Sequence, residues 1–413
     1  MRILVFNSGS SSLKFQLFEG EAVGDPVCRL KGSVNHFGAA AQCAWSTNGD
    51  RREEQTSLRG HDAAAHWILD LLQDDARLGR NLFEDVEAIG HRIVHGADVF
   101  TAPVTITDEV LATLESLSRL APLHNPPALA VMRETRMRFG DRIPMVAVFD
   151  TAFFSTLPEP ARVYALPEEW TGPFGIRRYG FHGLAHRYMV ERALALGGGA
   201  VATHRVISLQ LGYGCSLTAS RGGRPVDTSM GFTPMEGLIM ATRPGDVDAG
   251  ALLHLLQYCG VTAEALNDGL NHRAGLLGLS GVSADMQELL RHEAQGHAGA
   301  QRAVEAFCHR ARKYLGAGLA VLGGADAVVF GGGIGEHAPA IRARIADGMG
   351  WCGLTLDAAA NRAAVGSEMR ISSADASIAA YVIPVNEELL IARAVRQTLA
   401  APAPSGSRAH LNA

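Results

Sequence analysis

Val5-Phe6-Asn7-Ser8-Gly9-Ser10-Ser11-Ser12-Leu13-Lys14 passes from an apolar strand through a turn of small polar residues into a second strand. Leu209-Gln210-Leu211-Gly212-Tyr213-Gly214-Cys215-Ser216-Leu217-Thr218 repeats that pattern midway along the chain. Small side chains let a backbone come close to a ligand, and successive N–H groups at such a turn form a nest for an anion. In the first copy the serine hydroxyls and Lys14 add donors and a positive charge. The same residues also suit a solvated hairpin, with Asn and Gly supplying positive φ. A chain of 413 residues exceeds the size at which one core usually stops growing. The repeat therefore points to two related domains, each with one phosphate-facing hairpin.

Outward from the hairpins, short Val- and Ile-rich runs end at Gly, Asn or Asp: Ile3–Phe6, Val86–Ile89, Met145–Phe149, Val206–Leu211, Ala327–Phe330 and Tyr381–Val385. Helical patterns lie between several of them, and Leu389, Ala392, Val395 and Leu399 mark one face of the last. Continuous apolar strands alternating with helices predict an α/β fold with buried sheets. Hydrophobic residues at 47% suffice for two cores, and a net charge of −5 without a basic block speaks against nucleic acid or an anionic membrane as partner. Six scattered cysteines without a C-x-x-C pair signal neither zinc nor a disulfide framework, which suits a reducing compartment. With no signal-peptide pattern and no apolar run of spanning length, a soluble cytoplasmic protein is expected. The Pro/Ser/Gly/Ala-rich stretch 400–413 reads as a disordered tail.

Several constellations could carry chemistry. Gly331-Gly332-Gly333-Ile334-Gly335-Glu336 follows a strand, as a nucleotide-approaching junction would. It lacks the Gly-Lys-Ser/Thr of a Walker A motif, and Glu336 stands where G-x-G-x-x-G needs its third glycine, which disfavours a Rossmann hydride enzyme. Tight helix–sheet packing is its plainer reading. Gly90-His91-Arg92-Ile93-Val94-His95-Gly96 sets an Arg in an apolar strand, where it needs an anion or an internal carboxylate partner. His124 sits in the rigid loop Ala121–Pro127, and Asp150 ends a strand where an open α/β sheet lines its ligand crevice. His182 lies between glycines, and Arg243 lies in a Pro/Gly loop. Asn386-Glu387-Glu388 opens the last helix, where capping and Mg²⁺ ligation compete as explanations.

The ordered series NSGSSSLK, GHRIVHG, LAPLHNPP, FDTAFF, YGFHG, TSMGFTPMEGL, GADAVVF, GIGE and IPVNEEL resembles the acetate kinase family over about residues 1–397. The resemblance implies an α/β protein of two ribonuclease-H-like (actin-like ATPase) domains with an interdomain active-site cleft, and typically a homodimer. The expected domains are 1–150 with 384–399, then a nucleotide-binding 151–383. The implied reaction is reversible transfer of the ATP γ-phosphoryl to acetate, giving acetyl phosphate and ADP. Carried over, the pattern makes Asp150 the essential carboxylate and places Asn7 and Glu387 at a Mg²⁺ site. It puts Arg92 on the substrate, His182 and Arg243 on the transferring phosphoryl, and Ser10, Ser12, Lys14 and His124 around the phosphates. Val94, Leu123, Phe181 and Pro234 would form the acyl pocket. Gln210, Leu211, Gly212, Tyr213, Gly214, Asp285, Gly333, Ile334, Gly335, Glu336 and His337 would line the nucleotide and its phosphates.

Departures from the family pattern cluster on the phosphate-donor side. The usual His-Leu-Gly-Asn-Gly-Ser-Ser is Gln210 to Ser216, with Tyr213 in place of the amide. Gly-Thr-Ser-His becomes Gly183-Leu184-Ala185-His186, Asp-x-Arg becomes Asp285-Met286-Gln287, and Glu-Asn becomes Glu336-His337. Three readings stay open: acetate kinase; a propionate or butyrate kinase, or one with an altered donor; and a catalytically weak nucleotide-binding scaffold.

Overall fold

A computed structural model describes residues 1–9, 12–21, 24–47, 49–198 and 200–401. Ser10 and residues 402–413 of the expected tail lie outside the described residues. The chain forms two compact units, Met1–Ala152 with Glu387–Ala413 and Phe153–Asn386.

In unit 1 the strands are β1 (Arg2–Ser8), β2 (Ser12–Glu19), β3 (Val27–Asn35), β4 (Gly38–Thr47), β5 (Asp50–Leu58), β6 (Ala88–Ile93), β7 (Val104–Thr105) and β8 (Met145–Phe149). They form one eight-stranded sheet in the order β5-β4-β3-β2-β1-β6-β8-β7. β1 is buried from Ile3 to Ser8, as its unbroken apolar run requires of a central strand. It pairs antiparallel with β2 and parallel with β6, and β6 runs parallel with β8. The edge strand β5 is highly charged and largely exposed, which blunts edge-to-edge association. Helix α1 (His61–Gln73) covers the meander with Ala64, Ala65, Ile68, Leu69, Leu71 and Leu72 buried, and Trp67 meets Trp45 edge-on.

The C-terminal helix Glu387–Ala400 belongs to this unit and buries Leu390, Ile391, Ala392, Ala394 and Val395. It lies flat on β6: a Cβ built on Gly90 would stand 2.6 Å from the Ile391 side chain and 2.8 Å from that of Val395. That close approach sets Glu387 and Glu388 over the sheet.

Unit 2 holds β9 (Arg205–Leu211), β10 (Cys215–Arg221), β11 (Arg224–Thr228), β12 (Ala327–Gly331), β13 (Met369–Arg370) and β14 (Ala379–Val382), ordered β11-β10-β9-β12-β14-β13. β9 pairs antiparallel with β10 and parallel with β12, and β12 runs parallel with β14. The run β11-β10-β9-β12-β14 thus repeats β3-β2-β1-β6-β8 in order and direction. The two hairpins read from the sequence occupy the same place in each sheet. Met189, Val190 and Ala193 of helix α2 (Gly183–Gly197) cluster in the core with Val206, Val329, Tyr381 and Ile383.

Three details differ from the sequence reading. The meander β3-β4-β5 was not foreseen, because Val27–Leu58 mixes charged, polar and small residues without a clean alternation. The strand expected at Val86–Ile89 is Ala88–Ile93, so Arg92 lies within the ladder. The strand expected at Tyr381–Val385 closes at Val382: Ile383 N still donates to the Phe330 carbonyl at 3.0 Å, and Pro384 has no N–H with which to continue.

A Gly90→Ala substitution drives a methyl into Ile391 and Val395. It should cost about 1–3 kcal/mol of unfolding free energy, read by urea denaturation; an unchanged midpoint would remove this packing argument.

Candidate active site

In unit 1 the polar groups gather where β1, β6 and β8 end. Arg92 grips Asp150 with both arms of its fork, Nε to Oδ1 at 3.1 Å and Nη2 to Oδ2 at 2.6 Å. Its third arm, Nη1, donates to Asn7 Oδ1 at 2.9 Å and lies 3.8 Å from Glu387 Oε2. Asn7 Nδ2 in turn donates to Glu387 Oε2 at 2.7 Å and to Glu388 Oε1 at 2.8 Å. Gln16 Nε2 reaches the other oxygen of Glu388 at 3.4 Å. Asp150 is fully buried and Arg92 nearly so. Burial by itself would lower the guanidinium pKa, but Asp150, Glu387 and Glu388 outweigh it and raise it. The internal Arg–Asp pair that the sequence left open is therefore formed, and three carboxylates surround one guanidinium.

The backbone carrying these groups is braced. Asn125 accepts from His95 N at 3.2 Å and donates to the His95 carbonyl at 3.0 Å, while Thr151 Oγ1 accepts from Gly96 N at 3.0 Å. Val94 is buried in the braced strand end, and Leu123 is exposed in the neighbouring loop. His124 immediately precedes the helix Asn125–Phe139. In the first hairpin Gly9 N donates to the Ser12 carbonyl at 2.9 Å, and buried His61 holds the Gly9 carbonyl at 2.8 Å. Lys14 is exposed opposite Asn7 in the β1–β2 ladder. Directly opposed residues of an antiparallel pair share a sheet face, so Lys14 and Asn7 stand on one side.

Unit 2 gathers cations and imidazoles. His182 begins α2 in the left-handed region, with φ 57°. A Cβ built on Gly214 would lie 2.7 Å from Arg243 Nη2 and 3.1 Å from His182 Nε2, so both groups converge on that glycine of the second hairpin. Arg243 Nη1 donates to the Pro234 carbonyl. No carboxylate among the described residues forms an ion pair with Arg243, and burial lowers its pKa. Pro234 is half-buried in a segment braced by Glu236, which accepts from Tyr164 O–H and from Arg178 Nη2. Phe181 is buried beside His182 in the chain.

The two glycine turns of unit 2 adjoin. A Cβ on Gly332 would meet the Leu211 carbonyl at 2.6 Å and Gln210 Nε2 at 2.9 Å, and one on Gly212 would lie 3.8 Å from Gly333 N. Tyr213 is exposed, with its hydroxyl 3.4 Å from Thr242 Oγ1. Ile334 and Gly335 lie in the one-and-a-half-turn helix Gly332–His337, and His337 is exposed at its end. Glu336 is committed to the backbone, accepting from Gly332 N at 2.9 Å and Val385 N at 3.2 Å. Asp285 caps the helix Met286–Ala294 by accepting from Glu288 N at 2.9 Å.

Sequence reasoning quoted Glu388 and Asn125 only within stretches singled out for their neighbours, and missed Gln16, His61 and Arg342. Arg342 is wholly buried and donates to the Gly335 carbonyl at 2.8 Å and the Glu336 carbonyl at 3.1 Å, pinning the glycine turn from beneath. Its helix, Pro339–Ala346, also carries Arg344, so no local signal set Arg342 apart. Among the described residues, no group of three or more His, Cys, Asp or Glu side chains could hold a metal by itself, and no helix is long and apolar enough to cross a membrane.

Comparison with known proteins adds to this geometry. The profile of the acetokinase family matches residues 2–393. An acetate kinase of Solibacter usitatus is 44% identical over 417 residues, covering 98% of this chain and 100% of that protein. An acetate kinase of Geobacillus kaustophilus is 42% identical, covering 95% and 98%. Among solved structures, Porphyromonas gingivalis acetate kinase matches with TM-score 0.88 at 37% identity, covering 96% of this chain and 99% of that one. A propionate kinase from Francisella tularensis matches with TM-score 0.87 at 34% identity and the same coverage.

Two imidazoles in unit 1 are structural. His91 stacks on Phe6, and burial lowers its pKa to about 3; burial lowers that of His95 to about 4. Between pH 6.5 and those values, protons bind these rings in the unfolded chain and not in the folded one. Their contribution is therefore complete above pH 6.5 and is lost as pH falls, at up to about 1.4 kcal/mol per pH unit for each ring. Urea titrations at pH 7.5 and pH 5 should show that loss, and His91→Leu should make it shallower. A stability that rises on acidification would contradict the assignment.

Proposed function

The chain belongs to the acetokinase family, and from that premise we propose how its own residues carry the reaction. It is an ATP-dependent carboxylate kinase of the acetate kinase type. In our reading Arg92, Asn7, Asp150 and Glu387 of unit 1 serve the carboxylate and the metal, while His182 and Arg243 of unit 2 serve the phosphoryl group. The observation that carries this is Arg243, a half-buried guanidinium against Gly214 and beside His182, with no carboxylate partner among the described residues. A cation so placed is costly until an anion arrives, and its planar fork suits phosphate.

Acetate is ionised at pH 7, since a carboxyl pKa is about 4–5, and needs no base. One carboxylate oxygen attacks the γ-phosphorus; the new C–O–P bond forms as the bond to the bridging oxygen breaks, and ADP leaves with that electron pair. Such a transfer asks for in-line positioning and charge stabilisation. Arg243 and His182 offset charge on the equatorial oxygens. Arg92, oriented by Asp150, directs the acceptor carboxylate. Val94, Leu123, Phe181 and Pro234 take its methyl group. Ser12, Lys14 and His124 surround the phosphates, while the hairpin Gln210–Gly214 and the turn Gly333–Glu336 take the nucleotide.

Asn7 and Glu387 would hold Mg²⁺, because hard oxygen donors with one or two carboxylates are its usual protein ligands. The excess of three carboxylates over one guanidinium fits a divalent cation. Such an ion, when bound, neutralises charge on the phosphates. ATP as donor places the reaction in the cytoplasm.

A second copy of the chain is the partner we assign to the helix Ala249–Tyr258, none of whose residues is buried. Leu253, Leu256 and Tyr258 are exposed by 53%, 38% and 76%. A ten-residue helix is marginal alone and takes its stability from covering an apolar face.

A hydroxamate assay with ATP and acetate, propionate or butyrate reads acyl phosphate directly and tests the function. Arg243→Ala should lower kcat by about 10²–10³-fold with an unchanged circular dichroism spectrum; near-normal turnover would refute its role. For the interface, Leu253→Glu with Leu256→Glu should convert a dimer into a monomer by sedimentation. A wild-type monomer would overturn the pairing.

A further inference from the structure

Behind His182 runs a buried chain of side chains that the transfer described above does not use. His182 Nδ1 lies 2.9 Å from Ser216 Oγ, and the same oxygen lies 2.7 Å from His186 Nε2. His186 Nδ1 lies 2.7 Å from Ser208 Oγ, which also reaches the Thr218 carbonyl at 3.4 Å. Ser208, Ser216 and His186 are all 0% exposed. Polar groups so deep are retained only when satisfied. Here four side chains satisfy one another in a line that ends at the proposed phosphoryl-binding ring. Two of them lie on paired central strands, Ser208 in β9 and Ser216 in β10.

The line has a preferred polarity. The Thr218 carbonyl can only accept, so the Ser208 hydroxyl gives its proton there and receives Nδ1–H of His186. Burial, reinforced by the neighbouring His182, holds His186 neutral, so its Nε2 is then a lone pair that takes the Ser216 proton. Ser216 Oγ is left to accept from Nδ1–H of His182. The reverse polarity forfeits the bond to Thr218 and makes one fewer hydrogen bond in a place without solvent to replace it.

We propose that His186 and Ser216 are positioning residues for His182, fixing its proton on Nδ1 and aiming Nε2 at the phosphoryl oxygens. Neutral His182 thus presents a lone pair at Nε2 and donates there only as the imidazolium, so the ring serves the phosphoryl group as a cation. The charged and titratable groups that face it include Arg243 at Gly214 and His186 on its own helix. The left-handed backbone at His182 accords with the device. A non-glycine residue at φ 57° is strained, and an anchored ring helps to hold it there. This inference rests on the reading of His182 given above.

The test combines ¹⁵N NMR of histidine-labelled protein with steady-state kinetics. In the wild type at a pH where the ring is neutral, His182 should be the Nδ1–H tautomer, its signals assigned by their loss in His182→Gln. Ser216→Ala removes the acceptor, and His186→Leu frees Ser216 to donate toward His182. Both should move the ring toward Nε2–H and lower kcat about 10–100-fold, the scale seen when the orienting partners of other imidazoles are removed. KM for acetate should stay within about twofold, because the groups assigned to the carboxylate belong mainly to unit 1. His186→Gln, whose amide can accept from Ser216 and donate to Ser208, should restore tautomer and turnover together. An Nε2–H ring in the wild type, or an unchanged tautomer in Ser216→Ala, overturns the proposal. Full activity of His182→Gln would instead sink the phosphoryl role of that residue while leaving the tautomer measurement standing.

Discussion

The bidentate pair of Arg92 and Asp150 is the interaction around which unit 1 is arranged. A fully buried carboxylate is tolerated only with a well-aligned cation, and leaving one partner alone typically costs about 3–5 kcal/mol. Both residues sit where parallel strands end, on β6 and just after β8. Once the pair is formed, the third arm of Arg92 is free to organise Asn7, and Asn7 with Gln16 organises the two acids of the C-terminal helix. The packing of that helix on Gly90 is thus part of the same construction.

Unit 2 uses the same strand order for the opposite electrostatic end. Two of its buried or half-buried cations, Arg243 and Arg342, bond to carbonyl oxygens of Pro234, Gly335, Glu336 and Ala364, and to Asn361. Carbonyls satisfy the N–H groups without cancelling the charge, so the positive field persists at the glycine turns. The cluster in unit 1 sets three carboxylates around one guanidinium, whereas in unit 2 Arg243 and His182 converge on Gly214 and no carboxylate among the described residues pairs with Arg243. A reaction that joins a carboxylate to a phosphoryl group needs both characters: donors for charge on phosphorus, and oxygen ligands for a divalent ion.

How much of this was legible depended on whether a residue announced itself locally. The strand runs around Phe6, Phe149, Leu209 and Phe330 were plain because central strands are apolar throughout. The hairpins were plain because glycine and serine interrupt those runs. Asn7, Arg92, Asp150 and Glu387 stood out as polar residues at strand or helix ends, yet that they meet through Asn7 was not written in any window of sequence. Gln16 and Arg342 bond outside their own segments, and nothing in their immediate neighbours distinguishes them from surface polar residues; Asn125 lay in the His124 stretch with no sign there that it braces His95. Asp285 and Glu336 illustrate the converse: each sits in a stretch singled out for chemistry, and each spends its carboxylate on main-chain N–H groups.

The replaced residues of the second hairpin bear on how robust such a site is. Tyr213 stands where the family carries an amide, yet the turn is closed by main-chain contacts, Gly212 N to the Gly214 carbonyl at 3.2 Å and Ala241 N to the Tyr213 carbonyl at 3.1 Å. Its side chain points largely into solvent. Gly214, which admits Arg243 and His182, is retained, and so is Ser216, which anchors the histidine. A turn closed by backbone groups can exchange its side chains without losing its geometry, because the donors belong to every residue alike. Residues that hold cations and imidazoles in place have no such latitude. The departures at Tyr213, Leu184 and Ala185 leave His182, Arg243 and the buried Ser208 and Ser216 in place, so the side-chain contacts around Gly214 do not depend on them.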